Sequence, residues 1–229
     1  MTLQRLSGRL LQRFDTPPVT VIRLGGSLLP WQDLVPNLLR LVTSPGLAHA
    51  LIVVGGGAAA DGVRTLQQNR GLDEVTAHWL AIDTMSQNAR QLLIRDSRLR
   101  LVSSRSEAAG VWESGGVALL DAATFLRQEE RGLPAERGLP AADDAPDALA
   151  PWQVRLPATW SVTSDSIAAW IAARWPAREL WLLKSCDAPA ATVSSLSISG
   201  HVDASFPAML PNSLPWRWIN FRREWRSSS

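Results

Sequence analysis

The chain has 229 residues, 46% of them hydrophobic and 19% charged, with a formal net charge of +2, enough for one domain with a sizeable core. No apolar stretch reaches the ~18 residues needed to cross a bilayer, and the one cysteine, Cys186, excludes an internal disulfide framework and a multi-cysteine zinc site. A near-neutral charge balance also speaks against a nucleic-acid surface, so a single-domain cytoplasmic protein is expected.

At the amino terminus Arg5, Arg9 and Arg13 recur at helical spacing, while Leu3, Leu6, Leu10 and Phe14 fill another face. The segment reads as a short helix packing on the domain or on a partner subunit, with a membrane-surface or targeting role as the alternative. Residues 19–24 then form an apolar run that ends in Gly25-Gly26-Ser27, and residues 51–54 form another that ends in Gly55-Gly56-Gly57. Short β-branched runs of this kind read as buried parallel strands, and the spacing predicts a helix over 31–42 between them. One βαβ unit follows, with both glycine turns at the carboxyl ends of neighbouring strands, where open α/β sheets bind ligands. Glycine lets the backbone approach a ligand, and its N–H groups with the next helix N-terminus favour an anion such as phosphate. Gly55, Gly57 and Ala60 also satisfy a loose dinucleotide fingerprint, with Asp73 or Glu74 near its acidic position. That fingerprint normally follows a first strand, and it leaves Gly25-Gly26-Ser27 without a role.

Residues 58–70 and 74–95 read as two helices broken at Gly71, with Asp73 capping the second. Strands are predicted over 99–102 and 117–120. The hexapeptide Glu-Arg-Gly-Leu-Pro-Ala at 130–135 is repeated at 136–141 and followed by an acidic, proline-containing stretch. We take 127–151 as a flexible surface insertion and the repeat as dispensable for folding, so deletion of residues 131–147 should leave melting nearly unchanged. Thr163-Ser164-Asp165-Ser166 precedes a helix over 167–175, with Ser164 as a cap and Asp165 as a first-turn acid. A strand over 179–183 delivers Lys184, the one lysine beside 22 arginines. Trp216, Trp218 and Asn220 alternate as in a terminal half-buried strand, although the interleaved arginines also suit RNA binding.

Phosphoryl transfer needs two anions brought together in line, so a protein supplies backbone donors, cations and Mg²⁺ rather than a covalent nucleophile. Arg64, beyond the triple glycine, is placed either to clamp an acceptor phosphate bidentately or to face solvent. His78, within a helix, is either a packing histidine or an acceptor contact. His49, His78 and His201 are too scattered for a zinc cluster, and the eleven tryptophans read as core and interface.

Val21-Ile22-Arg23-Leu24-Gly25-Gly26-Ser27, the Gly55-Gly56-Gly57 turn, Ser164-Asp165 opening a helix, and Leu182-Leu183-Lys184-Ser185-Cys186-Asp187 after a strand together resemble the amino acid kinase superfamily. That superfamily includes acetylglutamate, uridylate, carbamate and isopentenyl phosphate kinases. Residues 77–82 and 156–166 look closest to the branch containing the kinase of methanofuran biosynthesis, which phosphorylates an aminomethylfuran methyl phosphate. The resemblance implies a three-layer α/β/α sandwich around a mostly parallel sheet, paired as a homodimer. It implies ATP and Mg²⁺-dependent phosphorylation of a small phosphate monoester in one-carbon cofactor biosynthesis, while the charge balance and the apolar runs give the expectation of no nucleic-acid partner and no integral membrane segment. Arg23 and Lys184 would neutralise phosphate charge and Asp165 would orient them. Gly25, Gly26 and Ser27 would contact the transferring phosphoryl group, with Ser164, Ser185 and Asp187 on the nucleotide side. Gly55, Gly56, Gly57, Arg64 and His78 would hold the acceptor.

Two features depart from the family pattern. Position 23 is arginine where most members have lysine, and a planar guanidinium is not an ammonium point charge. The segment after Asp187 lacks the glycine-methionine-lysine stretch with which many members grip ATP. The alternative reading is therefore a non-catalytic ligand-binding or assembly subunit that keeps the fold.

Overall fold

The computed structural model describes residues 18–133, 150–189 and 192–224. The amino-terminal amphipathic segment and most of the tandem repeat lie outside these residues. Strands β1 (Thr20–Leu24), β2 (Ala50–Val54), β3 (Leu99–Val102), β4 (Val117–Leu120), β5 (Glu179–Lys184) and β6 (Trp216–Asn220) form one sheet in the order β3-β4-β2-β1-β5-β6. Every pairing in it is parallel.

A parallel sheet must be covered on both faces, and the apolar runs supply residues for both. Successive side chains alternate, so Val21, Leu51 and Leu182 join one core with Phe125 and Trp170, while Ile22, Ile52 and Leu183 join a second with Leu34 and Leu38. The helices that complete these layers are α1 (Leu34–Val42), α2 (Gly57–Arg70), α3 (Glu74–Leu93), α4 (Arg105–Glu113), α5 (Ala122–Glu129), α6 (Ser164–Arg174), α7 (Val193–Ile198), α8 (Phe206–Met209) and α9 (Phe221–Glu224). The expected α/β sandwich is the observed one. No described helix is long and apolar enough to cross a membrane.

Boundaries follow local chemistry. Helix α1 begins at Leu34 rather than at residue 31, because Pro36 lacks an N–H and is tolerated only in a first turn. Asp73 caps α3 as expected, accepting from the Thr76 N–H at 2.9 Å, and Gly71 closes α2 with φ +66°. Helices α4 and α5 have side-chain caps at Ser104 and Asp121 that the apolar pattern alone does not reveal. Residues 127–129 belong to α5, and Glu130–Gly132 adds a 3-10 turn. Regular structure therefore reaches past the predicted start of the insertion at 127. The Trp216–Asn220 alternation forms the half-buried edge strand β6, parallel to β5.

Candidate functional site

The register sets Leu24 opposite both Val54 and Leu183, so the carboxyl ends of β1, β2 and β5 lie side by side. Arg23 near the end of β1 and Lys184, the last residue of β5, converge on Asp165 in the first turn of α6. Arg23 donates to the Ser164 hydroxyl from Nε at 3.2 Å and from a terminal nitrogen at 2.8 Å. Its Nε also lies 2.9 Å from Asp165 Oδ1. Lys184 Nζ donates to Asp165 Oδ2 at 3.0 Å and to the His201 carbonyl at 2.8 Å. Oδ1 sits 2.9 Å from Nζ as well, yet it receives no aligned hydrogen bond. Its contacts with both cations are thus Coulombic, while Oδ2 carries the hydrogen bond.

Burial makes this cluster consequential, since Asp165 is 3% and Lys184 8% exposed. Two cations share the Asp165 carboxylate. The Lys184 pKa falls to about 8, because burial disfavours the ammonium and Arg23 repels it, with Asp165 opposing both.

The cap of α6 differs from the expected one. Ser164 is the first helical residue, and its hydroxyl serves Arg23. Asp203, between α7 and α8, satisfies the helix N-terminus instead. Its Oδ2 accepts from the Thr163 N–H at 2.9 Å, the Thr163 hydroxyl at 2.7 Å and the Ser166 N–H at 3.0 Å, while Oδ1 accepts from the Ser166 hydroxyl. Burial, then repulsion from Asp165, raises the Asp203 pKa. Nothing near Asp203 in sequence signals this role, because its partners lie in another segment.

The glycine turns divide their labour. The N–H of Gly25 is taken by the Leu183 carbonyl at 2.8 Å and that of Gly55 by the Leu24 carbonyl at 2.9 Å. These two bonds extend the sheet ladder, so neither donor is available to an anion. Gly26 and Ser27 begin a 3-10 turn, and Gly57 and Ala58 begin α2; first-turn N–H groups have no partner within their own helix. Buried Asn88 on α3 holds the second turn from behind, donating to the Gly55 and Gly56 carbonyls at 2.8 Å each.

The two turns also touch. A Cβ at Gly26 would lie 2.3 Å from the Gly57 nitrogen and 2.4 Å from its Cα, and Gly57 has φ +55°. The glycine at 26 is therefore required by backbone packing before any ligand arrives. Gly26→Ala is expected to destabilise the protein by about 3 kcal/mol, the upper range for overpacking, since backbone cannot rotate away. Urea unfolding checks this, and an unchanged midpoint would show that the turns are not in contact.

In front of these elements lies a cavity of about 390 Å³, lined by Arg23, Gly26, Ser27, Gly56, Gly57, Arg64, His78, Ser164, Lys184 and Ser185 among others. The size is that of a small-ligand pocket. Ser27 and Ser185 hydroxyls bond across its mouth at 2.9 Å. His78 Nδ1 is 3.1 Å from the Thr159 carbonyl, which can only accept, so Nδ1 carries the proton and Nε2 is an acceptor. Burial lowers the His78 pKa against the opposing effects of Thr159 and Glu74, which keeps the ring neutral at pH 7. Exposed Arg64 lies over the Trp160 ring, 4.5 Å from its centroid, and Trp160 is held by its N–H on Gln67 at 2.5 Å.

The remaining candidates sit elsewhere. Gly25, Gly55 and Asp165 are not among the residues lining the cavity, and Asp165 reaches it through the two cations that it pairs. Asp187 is exposed and away from the cavity lining, accepting from Asn220 at 3.1 Å and Arg223 at 3.0 Å. It ties the end of β5 to β6 and α9. Asn88, Trp160, Trp218 and Asp203 join the site or its support without any local motif to mark them.

Sheet order, helices on both faces and glycine turns at the strand ends together define an amino acid kinase-like α/β fold. Solved structures similar to it are UMP kinases. That of Bacillus anthracis has TM-score 0.56 and 16% identity, covering 90% of this chain and 88% of that one. The uridylate kinase of Archaeoglobus fulgidus has TM-score 0.53 and 14% identity, with 91% and 94% covered. The UMP kinase of Ureaplasma parvum has TM-score 0.55 and 14% identity, with 91% and 92% covered. At these identities the likeness establishes the fold. No family model and no curated protein matches the sequence.

Proposed function

We propose that the chain is an ATP-dependent phosphotransferase that phosphorylates a small phosphate monoester to a diphosphate, with a methanofuran-type one-carbon cofactor precursor as the acceptor class. The observation that carries this reading is the convergence of Arg23, Lys184 and Arg64 on one cavity at the ends of β1, β2 and β5. Such a cavity suits two phosphate groups that must approach each other despite their charge. Gly26 and Ser27 with Arg23 and Lys184 take the transferring phosphoryl group, and Gly56, Gly57, Arg64 and His78 take the acceptor. An acceptor phosphate is already ionised at neutral pH, its second pKa being about 6. Its oxygen attacks the γ-phosphorus, a P–O–P bond forms and ADP leaves, so no general base is needed.

The donor set of cations, hydroxyls and N–H groups fits phosphate oxygens. Among the described residues no group of three or more His, Cys, Asp or Glu is placed to hold a metal ion. Mg²⁺ fits here as a cation carried on the nucleotide phosphates, where it would neutralise developing charge.

Saturating ATP with Mg²⁺ is expected to raise Tm. At 100 times its Kd the gain is about 2.7 kcal/mol by mass action, or roughly 5–10 °C for a chain of this size. Acceptor-dependent ADP formation, with the diphosphate followed by ³¹P NMR, then tests transfer. No thermal shift and no calorimetric signal at millimolar ATP would remove the kinase reading. One observation favours the second reading, a non-catalytic subunit: Arg23 is already bonded to Ser164 and Asp165. That reading predicts ligand binding with no acceptor-dependent turnover.

A further inference from the structure

The loop between α7 and α8 touches both halves of the charge cluster. The His201 carbonyl takes Lys184 Nζ, and two residues on Asp203 binds Thr163 and Ser166, which flank Ser164-Asp165. Between them Val202 is packed into the core beside Leu196 and Phe206, so the loop is anchored at three points. Asp203 itself is not among the residues lining the cavity.

We propose that Asp203 is a positioning residue for the phosphate site, fixing the N-terminus of α6 so that Ser164 and Asp165 hold Arg23 and Lys184 at the cavity wall. The ligand rests on the function proposed above; the positioning does not. Its second effect is electrostatic. Lys184 is faced by Arg23 from β1, Asp165 from α6 and Asp203 from the loop, with the Trp218 ring 5.1 Å from Nζ. Arg23 disfavours the ammonium, and the two carboxylates favour it. Burial and repulsion from Asp165 raise the Asp203 pKa, and the four donors aimed at it favour its ionised form against them.

Lys184 is the one lysine in the chain, so lysine labelled with ¹³C at Cε gives a single side-chain signal. That signal titrates without any ligand or turnover, with an expected midpoint near pH 8. Asp203→Asn keeps the shape and most of the hydrogen bonding but removes the charge. Its Lys184 midpoint is expected to fall, and affinity for ATP with Mg²⁺ to weaken about tenfold at pH 8. The loss is smaller at pH 6.5, where the ammonium persists. If Asp203→Asn does not fold, Ser166→Ala loosens the same anchor from the helix side, with a displaced Lys184 midpoint and about threefold weaker ATP binding expected.

Wild-type midpoint and wild-type ATP affinity in a folded variant would overturn the proposal. So would an equal loss of affinity at both pH values with an unmoved midpoint, which marks a merely structural role. A moved midpoint with no ATP binding by the wild-type protein upholds the role of Asp203 and overturns the nucleotide reading of the cavity.

Discussion

Asp165→Ala is expected to destabilise the protein by about 3–5 kcal/mol, the usual consequence of removing one partner from a buried ionic cluster. Arg23 and Lys184 would be left buried at the sheet edge with their shared counter-ion gone. At roughly 2–4 °C per kcal/mol for a chain of this size, Tm should fall by about 6–20 °C. The pH dependence has a definite sign. Lys184 titrates near 8 in the folded protein against 10.5 for an ordinary lysine, so the unfolded chain binds more protons between those values. Burying the ammonium therefore opposes folding below pH 8, and this opposition is relieved as pH rises toward 10.5. Without Asp165 the opposition is larger, and the variant should recover more stability than the wild type over that window. A Tm within about 2 °C of wild type at pH 7, under 1 kcal/mol, would show that Asp165 is not the shared counter-ion.

On the phosphotransferase reading, Arg23→Ala should lower acceptor-dependent turnover by about 10²–10³, or roughly 3–4 kcal/mol of transition-state stabilisation, as for loss of a preorganised electrostatic contact. The fold should persist, because Asp165 keeps its hydrogen bond from Lys184. Arg23→Lys should retain activity or increase it. An ammonium can pair with Asp165 without the fork that binds the Ser164 hydroxyl from two nitrogens, which frees it to follow the phosphoryl charge. A non-catalytic subunit predicts the opposite pattern, with no acceptor-dependent turnover in wild type or in Arg23→Lys. Wild-type turnover by Arg23→Ala with a competent acceptor would displace the phosphoryl site from the end of β1.

Both experiments probe a cluster whose members were only partly readable in advance. Arg23, Asp165 and Lys184 are each marked by position, at a strand end or a helix start, and the parallel register sets the strand ends that carry Arg23 and Lys184 side by side. What Arg23 does there was not readable. Its bonds to Ser164 and Asp165 depend on where α6 lies relative to β1. Asn88 behind the second glycine turn is a mid-helix residue, and no local pattern separates it from a surface asparagine.

Strands, glycine turns and the longer helices were legible in the chain because each is governed by near neighbours. Apolar runs alternate over a few residues, Asp73 caps a residue three positions on, and Gly71 closes its own helix. That local grammar carries the α/β architecture and the location of the crevice. The division of labour inside the crevice rests on distance in space. Gly26 is required by the backbone of Gly57, the Ser166 N–H in the first turn of α6 is taken by Asp203, and Lys184 owes its lowered pKa to burial beside Arg23. Each of these joins segments far apart along the chain, and desolvation has a magnitude only once the core has closed around the charges.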